Sequence, residues 1–336
     1  MIVGVDIGGA NLKFAAVDPK SNNEACHSCF FPMWTDANRL ADVLVAELSS
    51  FGKIDAFAIT MTGEMADCFI DRHLGVQQIA EACRLAATKA GVDRFGFYRS
   101  DGRFTRLTES KKETDSVASA NWHASATWLA SKFSVDHGIL VDIGSTTTDL
   151  IPINNREVST PSKTDHDRLC EGALAYVGCG RTPVCSLVSS LLIDGKWCPV
   201  MNEVFATIDD ALVVLEMTSP DAEDLQSADG QPRTVPFAAN RIARMVGLDR
   251  SSVSVDVAKQ LSEQIVDAAK ARIKQSFHAV DQGGTIILGG HGDALFDPPS
   301  GRGIIRLTDR FSEPASRCLP ALAVAHLFQN NRYALL

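Results

Sequence analysis

The chain contains Val-Asp-Ile-Gly twice, in VDIGGANLKF from Val5 and in VDIGSTTTDL from Val141, each followed by a polar turn and an extended apolar run. A carboxylate beside a glycine turn at a strand end gathers negative charge and freely directed backbone amides in one place. That combination suits a divalent cation and phosphate oxygens. Asp6 and Asp142 are the candidate metal ligands, and Asp149 is a third carboxylate candidate. Gly8, Gly9, Asn11 and Lys13 around the first turn, and Gly144, Ser145, Thr146 and Thr147 in the second, are the candidate anion contacts. Mg2+ is the expected ion, because it keeps several waters and needs only one or two carboxylates. A lone Asp-X-Gly is ordinary turn geometry, and it is the repetition that points to a site. Lys13 either adds positive charge or points outward along its strand. The three hydroxyls either hydrogen-bond the turn or donate to phosphate.

Glu64 and Asp67, in TGEMADCF after a strand-like run, are the candidate proton acceptors. The competing reading makes Glu64 a cap of the next helix and Asp67 a solvated charge. Arg181 in GRTPV either pairs with a carboxylate or phosphate or is a surface arginine, and His291 after Gly-Gly reads as a turn histidine. Cys26 and Cys29 in CHSC are the one close pair among nine cysteines. A zinc site needs a second pair, and within one strand residues three apart lie roughly 10 Å apart, beyond disulfide reach. Free thiols are therefore expected.

The elements that must position these residues alternate between strand and helix. IVGVDI and LKFAAVD read as strands joined by a Gly-Gly-Ala-Asn turn, CFFPMW as a third extended run, and ANRLADVLVAELSSF as a helix. IDAFAITMT reads as a buried strand, with helices at VQQIAEACRLAATKAG and through SVASANWHASATWLASKF. GILVDIGSTTTDLIPI repeats the opening hairpin; a long helix near Asp256 to Val280, the strand GTIILGG and the helix PASRCLPALAVAHLF follow. Residues 156–254 form an insertion whose polar stretch SPDAEDLQSADGQPR reads as a surface loop within the second half.

With 336 residues, 45% hydrophobic and 22% charged, the chain is long enough for two cores. A net charge of −9 argues against nucleic-acid or anionic-membrane partners. MIVGVDIGG has no basic region or cleavage site of a signal peptide, and no run of 18 apolar residues occurs, so a cytoplasmic location is expected.

The two Asp-Ile-Gly hairpins and the late IILGGHGDA resemble the phosphate and adenosine signatures of the actin, sugar kinase and Hsp70 superfold. GVDIGGANLKFA, ITMTGEMADCF, SANWHASA, VDIGSTTTDLIPI, GRTPVCSL, FATIDDALVVL and ADGQPRT followed by AANRIARMVG together resemble a narrower family. It comprises hydantoinase/oxoprolinase-like proteins of tetrahydromethanopterin-linked C1 metabolism, with archaeal members that are furanylmethanamine synthases of methanofuran biosynthesis.

The resemblance implies an α/β fold of two actin-like, ribonuclease H-like domains, each a mixed sheet flanked by helices, facing a central cleft. The expected boundaries are 1–136 and 137–336, with the insertion in the second. It further implies a transferase joining an aminomethylfuranylmethyl diphosphate to a tyramine-type phenol as an aryl ether, with release of diphosphate. Its partners are those two small molecules, and Asn121, Arg181, Gly289 and Gly290 become candidate substrate contacts. Kinases of the superfold usually carry Thr or Ser where this chain has Asn11, which disfavours the alternative of an ATP-dependent small-molecule kinase. A non-enzymatic nucleotide sensor is the remaining alternative.

Overall fold

The computed structural model describes residues 1–21, 23–106 and 111–330. In chain order the first elements are β1 (Ile2–Ile7), β2 (Asn11–Val17), β3 (Glu24–Phe30), α1 (Met33–Asp36), α2 (Leu40–Ser50), β4 (Ala56–Met61) and α3 (Arg72–Lys89). There follow β5 (Phe95–Tyr98), β6 (Phe104–Thr105), α4 (Lys111–Val117), α5 (Asn121–Lys132), β7 (His137–Ile143), β8 (Thr148–Asn154), β9 (Glu157–Val158) and α6 (Asp165–Glu171). Within the insertion, after β9 and α6, come β10 (Leu174–Ala175), α7 (Val184–Leu187), β11 (Ser190–Ile193), β12 (Lys196–Pro199), α8 (Ile208–Val214) and α9 (Val235–Arg244). Last come α10 (Val255–Val280), β13 (Thr285–Gly290), β14 (Ile304–Arg306), α11 (Glu313–Arg317) and α12 (Leu319–Asn330).

The chain forms two compact units, one of Met1–Ile139, Ile151–Arg168 and Arg306–Leu336, the other of Leu140–Leu150 and Leu169–Ile305. The first is built on a sheet of order β3-β2-β1-β4-β5-β6. β1 is buried along its whole length, which is why it reads as an unbroken apolar run. It pairs antiparallel with β2, placing Asp6 opposite Lys13, and parallel with β4. Leu40, Leu44 and Leu48 form the apolar stripe that α2 turns to the core. Asp71 starts α3 by accepting a hydrogen bond from the Leu74 amide at 2.8 Å. The C-terminal helix α12 returns to this sheet, packing on β1, β2, β4 and α5. Gly4 permits that return, since a Cβ there would overlap the Ala321 carbonyl.

The second sheet runs β10-β8-β7-β13-β14, with β9 paired to β8. Its five-strand path matches β3-β2-β1-β4-β5 in position and chain order. The matched halves expected from the repeat are thus present as matched topology.

Three expected elements differ, one of them the helix PASRCLPALAVAHLF, which a turn at Cys318 splits into α11 and α12. The third strand covers EACHSCF rather than CFFPMW, because Pro32, lacking an N–H, stands as the residue before α1. The single helix expected through SVASANWHASATWLASKF is broken, with α4 ending at Val117, Ser119 at φ 48 and α5 beginning at Asn121. The stretch SPDAEDLQSADGQPR is a loop of the second unit, closed by a bridge between Asp221 and Arg233.

Candidate active site

In the first turn the Gly8 amide donates to the Asn11 carbonyl at 3.0 Å. The amides of Thr62 and Gly63, following β4, both donate to the Ile7 carbonyl at 2.9 Å. Phe31 and Met33 donate to the carbonyls of Ala10 and Gly9. The turn carbonyls are therefore engaged from behind. Gly63 is required by this packing, since a Cβ would sit 2.9 Å from the Gly8 oxygen. Beside the turn, Phe30 lies across from Asn11 and meets the half-exposed Trp34 edge-on, ring centroids 6.5 Å apart.

Asp6 is 2% exposed, its Oδ2 lies 3.5 Å from the Lys13 ammonium, and its Oδ1 is buried without a hydrogen-bond partner. Burial raises its pKa, against the opposing pull of Lys13. Lys13 thus reaches back to Asp6 instead of pointing outward. One free carboxylate oxygen fits what a largely hydrated Mg2+ asks of a protein. Among the described residues no group of three or more His, Cys, Asp or Glu is placed to hold a metal ion. A carboxylate stands at each turn, Asp6 at the first and the partly buried Asp142 at the second.

The second turn repeats the scheme. Gly144 donates to Thr147 at 2.9 Å, and the amides of His291 and Gly292, following β13, donate to the Ile143 carbonyl at 3.1 and 3.2 Å. Cys179 donates to Gly144, and Gly180 and Arg181 donate to Ser145, at 3.0, 2.9 and 2.8 Å. Gly144, Ser145, Thr146 and Thr147 are all partly exposed. The buried Gly289 and Gly290 end β13, and a Cβ on Gly290, whose φ is 82°, would overlap the Ile143 carbonyl. Arg181 joins the turn through its backbone while its side chain is exposed, and the exposed His291 joins through its amide.

Glu64 is fully buried in the loop after β4. The Ser119 hydroxyl donates to its Oε1 at 2.7 Å, and Oε2 is buried with no partner. Burial raises the Glu64 pKa; the Ser119 hydrogen bond and Arg72 pull it down, while Asp165 pushes it up. Glu64 is not a helix cap, since Asp71 takes that place on α3. Asp67 is exposed on the same loop, as its solvated reading expects. Asn121 opens α5, and its Oδ1 accepts from the Trp122 amide at 2.8 Å. Trp122 is buried beneath the Arg168 guanidinium, 4.3 Å from its centre.

The profile of the hydantoinase/oxoprolinase family matches residues 55–331. The (4-{4-[2-(gamma-L-glutamylamino)ethyl]phenoxymethyl}furan-2-yl)methanamine synthase of Methanocaldococcus jannaschii is 32% identical over 333 residues, 98% of each chain. The chain belongs to the hydantoinase/oxoprolinase family. A synthase of the same name from Methanococcus vannielii is 28% identical over 208 residues, 59% of this chain and 93% of that one. Among solved structures, an ATP-dependent acetone carboxylase in its nucleotide-free form aligns with TM-score 0.56 at 11% identity, covering 97% of this chain and 70% of that one. At that identity the likeness is one of fold, and the fold is actin-like.

Several family motifs prove to be architecture. FATIDDALVVL supplies a capping box in which Thr207 and Asp210 close the start of α8. Asp210 then pairs with the fully buried Arg241 of AANRIARMVG at 2.7 Å. Asp229 of ADGQPRT holds Arg241 and Arg244 at 2.9 and 3.1 Å, and Arg233 clasps Asp209 at 2.6 Å. In CHSC, Cys26 and Cys29 are free thiols whose pKa values burial pushes up to about 12 and about 11. His27 between them is engaged with Glu47 at 2.6 Å and stacked on Phe14. Ser119 was not among the expected site residues, although the family motif SANWHASA begins with it.

Proposed function

We propose that this protein is a transferase that condenses an aminomethylfuranylmethyl diphosphate with a tyramine-type phenol. The phenol oxygen bonds to the furanylmethyl carbon, the bond from that carbon to the diphosphate oxygen breaks with its electrons, and the phenol proton passes to the protein. The reading is carried by the likeness to the Methanocaldococcus jannaschii synthase over 98% of both chains.

The site chemistry agrees with it. A furan ring shares positive charge developing on its methylene carbon, so the protein's main task is to hold diphosphate as it departs. The amides of Gly8 and Gly144 close their own turns, while backbone amides at Gly9 and Asn11 and at Ser145, Thr146 and Thr147, with the Lys13 ammonium, are suited to that task. Asp6 and Asp142 are the carboxylates proposed to hold Mg2+, which when bound neutralises charge on the leaving group. Phe30 and Trp34 offer an apolar surface beside the first turn for a furan ring. Glu64 is the proposed proton acceptor in preference to the exposed Asp67, because a carboxyl of raised basicity better matches a phenol. Asn121, Arg181, Gly289 and Gly290 are proposed acceptor contacts, and residues 1–136 and 137–336 the two functional halves.

Calorimetry tests the reading. Diphosphate with Mg2+ should bind and ATP should bind weakly or not at all; tight ATP binding with hydrolysis would replace the transferase with a small-molecule kinase.

A further inference from the structure

Six non-glycine residues among those described have positive φ: Ser119, Ser134, Asn155, Arg156, Asp194 and Glu216. All but Ser119 are exposed, and they lie in hairpin turns or just past helix ends, where solvent meets the backbone. Ser119 is 8% exposed. It too follows a helix end, the end of α4, a position that glycine fills at least cost. A serine there keeps a hydroxyl at the expense of backbone strain, and that hydroxyl is directed at Glu64 Oε1, 2.7 Å away. The other carboxyl oxygen, Oε2, is buried and has no partner.

We propose that Ser119 is a positioning residue for Glu64: its hydroxyl pins Oε1 and so presents Oε2 as the atom that takes a proton from the acceptor substrate. The inference rests on reading Glu64 as the proton acceptor. Three further features shape the arrangement. Gly75 of α3 closes over the Glu64 backbone, where a Cβ would overlap the Glu64 carbonyl. The charges acting on the carboxyl are Arg72 on α3 and Asp165 on α6, which oppose each other. The hydroxyl of Ser119 therefore sets which oxygen is free, and it also stabilises the ionised form of the acid.

The test compares Ser119→Gly with Glu64→Gln in the full-length protein. Glycine accepts the left-handed backbone and removes the whole hydroxymethyl group, so relief of the backbone offsets the lost hydrogen bond and Ser119→Gly should melt close to the wild-type temperature. Its acid limb in the pH profile of kcat should move about one unit upward, and kcat below that limb should fall about tenfold, the scale of one lost hydrogen bond to a charged group. Ser119→Ala, which also lacks the hydroxyl, should show the same shift at a lower melting temperature. If both variants keep the wild-type limb while Glu64→Gln loses turnover, Ser119 has no such role and Glu64 stands as the base. If Glu64→Gln turns over normally, the assignment of the base itself falls.

Discussion

The two Asp-Ile-Gly hairpins share a backbone and differ in charge. In each, the residue before the first turn glycine has a carbonyl that accepts two amides from the loop after a neighbouring strand of the sheet, Thr62 and Gly63 onto Ile7, His291 and Gly292 onto Ile143. In each, the turn closes on itself, Gly8 to Asn11 and Gly144 to Thr147. Seven residues after the aspartate, however, the first hairpin has Lys13 and the second has Asp149. Asp6 is therefore a buried acid already partly neutralised, whereas Asp142 is partly exposed in a hairpin with a second acid. The scaffold was kept and the electrostatics divided, so equal backbones need not mean equal work.

Replacing Asp6 or Asp142 with Asn gives the largest expected effect. Each should lower Mg2+-dependent turnover by about two orders of magnitude with little change in folding, since each contributes charge and little apolar area. Turnover measured against Mg2+ concentration checks this; a near-normal rate for one of them would show that only the other hairpin holds the ion.

Next in size are Gly63→Ala and Gly292→Ala, the matched donors behind the two turns. At Gly63 the new Cβ meets the Gly8 oxygen at 2.9 Å, and at Gly292 it meets the Ile143 side chain and the Cys179 Cβ. Both should cost about 1–3 kcal/mol in chemical denaturation. Gly63→Ala should also weaken diphosphate binding, because its obstacle is the turn backbone itself, while a larger binding loss in Gly292→Ala would put the diphosphate contact at the second turn.

The smallest effect belongs to Lys13→Met. Burial already raises the Asp6 pKa above its unfolded value, and Lys13 offsets that rise. Such an acid is most favourable to the fold below its unfolded pKa and becomes less so as pH climbs toward the folded value. Without Lys13 the folded pKa goes higher still, so the variant should match wild type near pH 3 and fall behind by about 1 kcal/mol at neutral pH, Lys13 being partly exposed. Denaturation curves across that range decide it. An equal loss at all pH values would mean that Lys13 acts by packing.

Much of the molecule was legible in the residues because the signals are local. The repeated turn announces two hairpins, and the leucine stripe of α2 and the buried run of β1 follow from the period of each element. Asp6, Gly8 and their counterparts were singled out for that reason. Three boundaries were not legible, and each turned on a single residue: Pro32 ending the extended run, Ser119 breaking a helix whose composition is otherwise continuous, and Cys318 separating α11 from α12. Arg233, Arg241 and Asp229 lie in the quoted motifs, but nothing in their spacing told that Asp229 pairs with Arg241, or that Arg233 and Arg241 pair with Asp209 and Asp210, inside the second unit.

The sequence by itself determined the number of hairpins, their turns and the helices between them, since these depend on neighbours within a few residues. Only the tertiary structure decided that Ser119 meets Glu64 across 55 positions, that α12 lies over Gly4 and the first sheet, and that one oxygen of Asp6 and one of Glu64 remain buried without partners. Those outcomes depend on which distant surfaces exclude water together, and burial of that kind leaves no periodic mark on the chain.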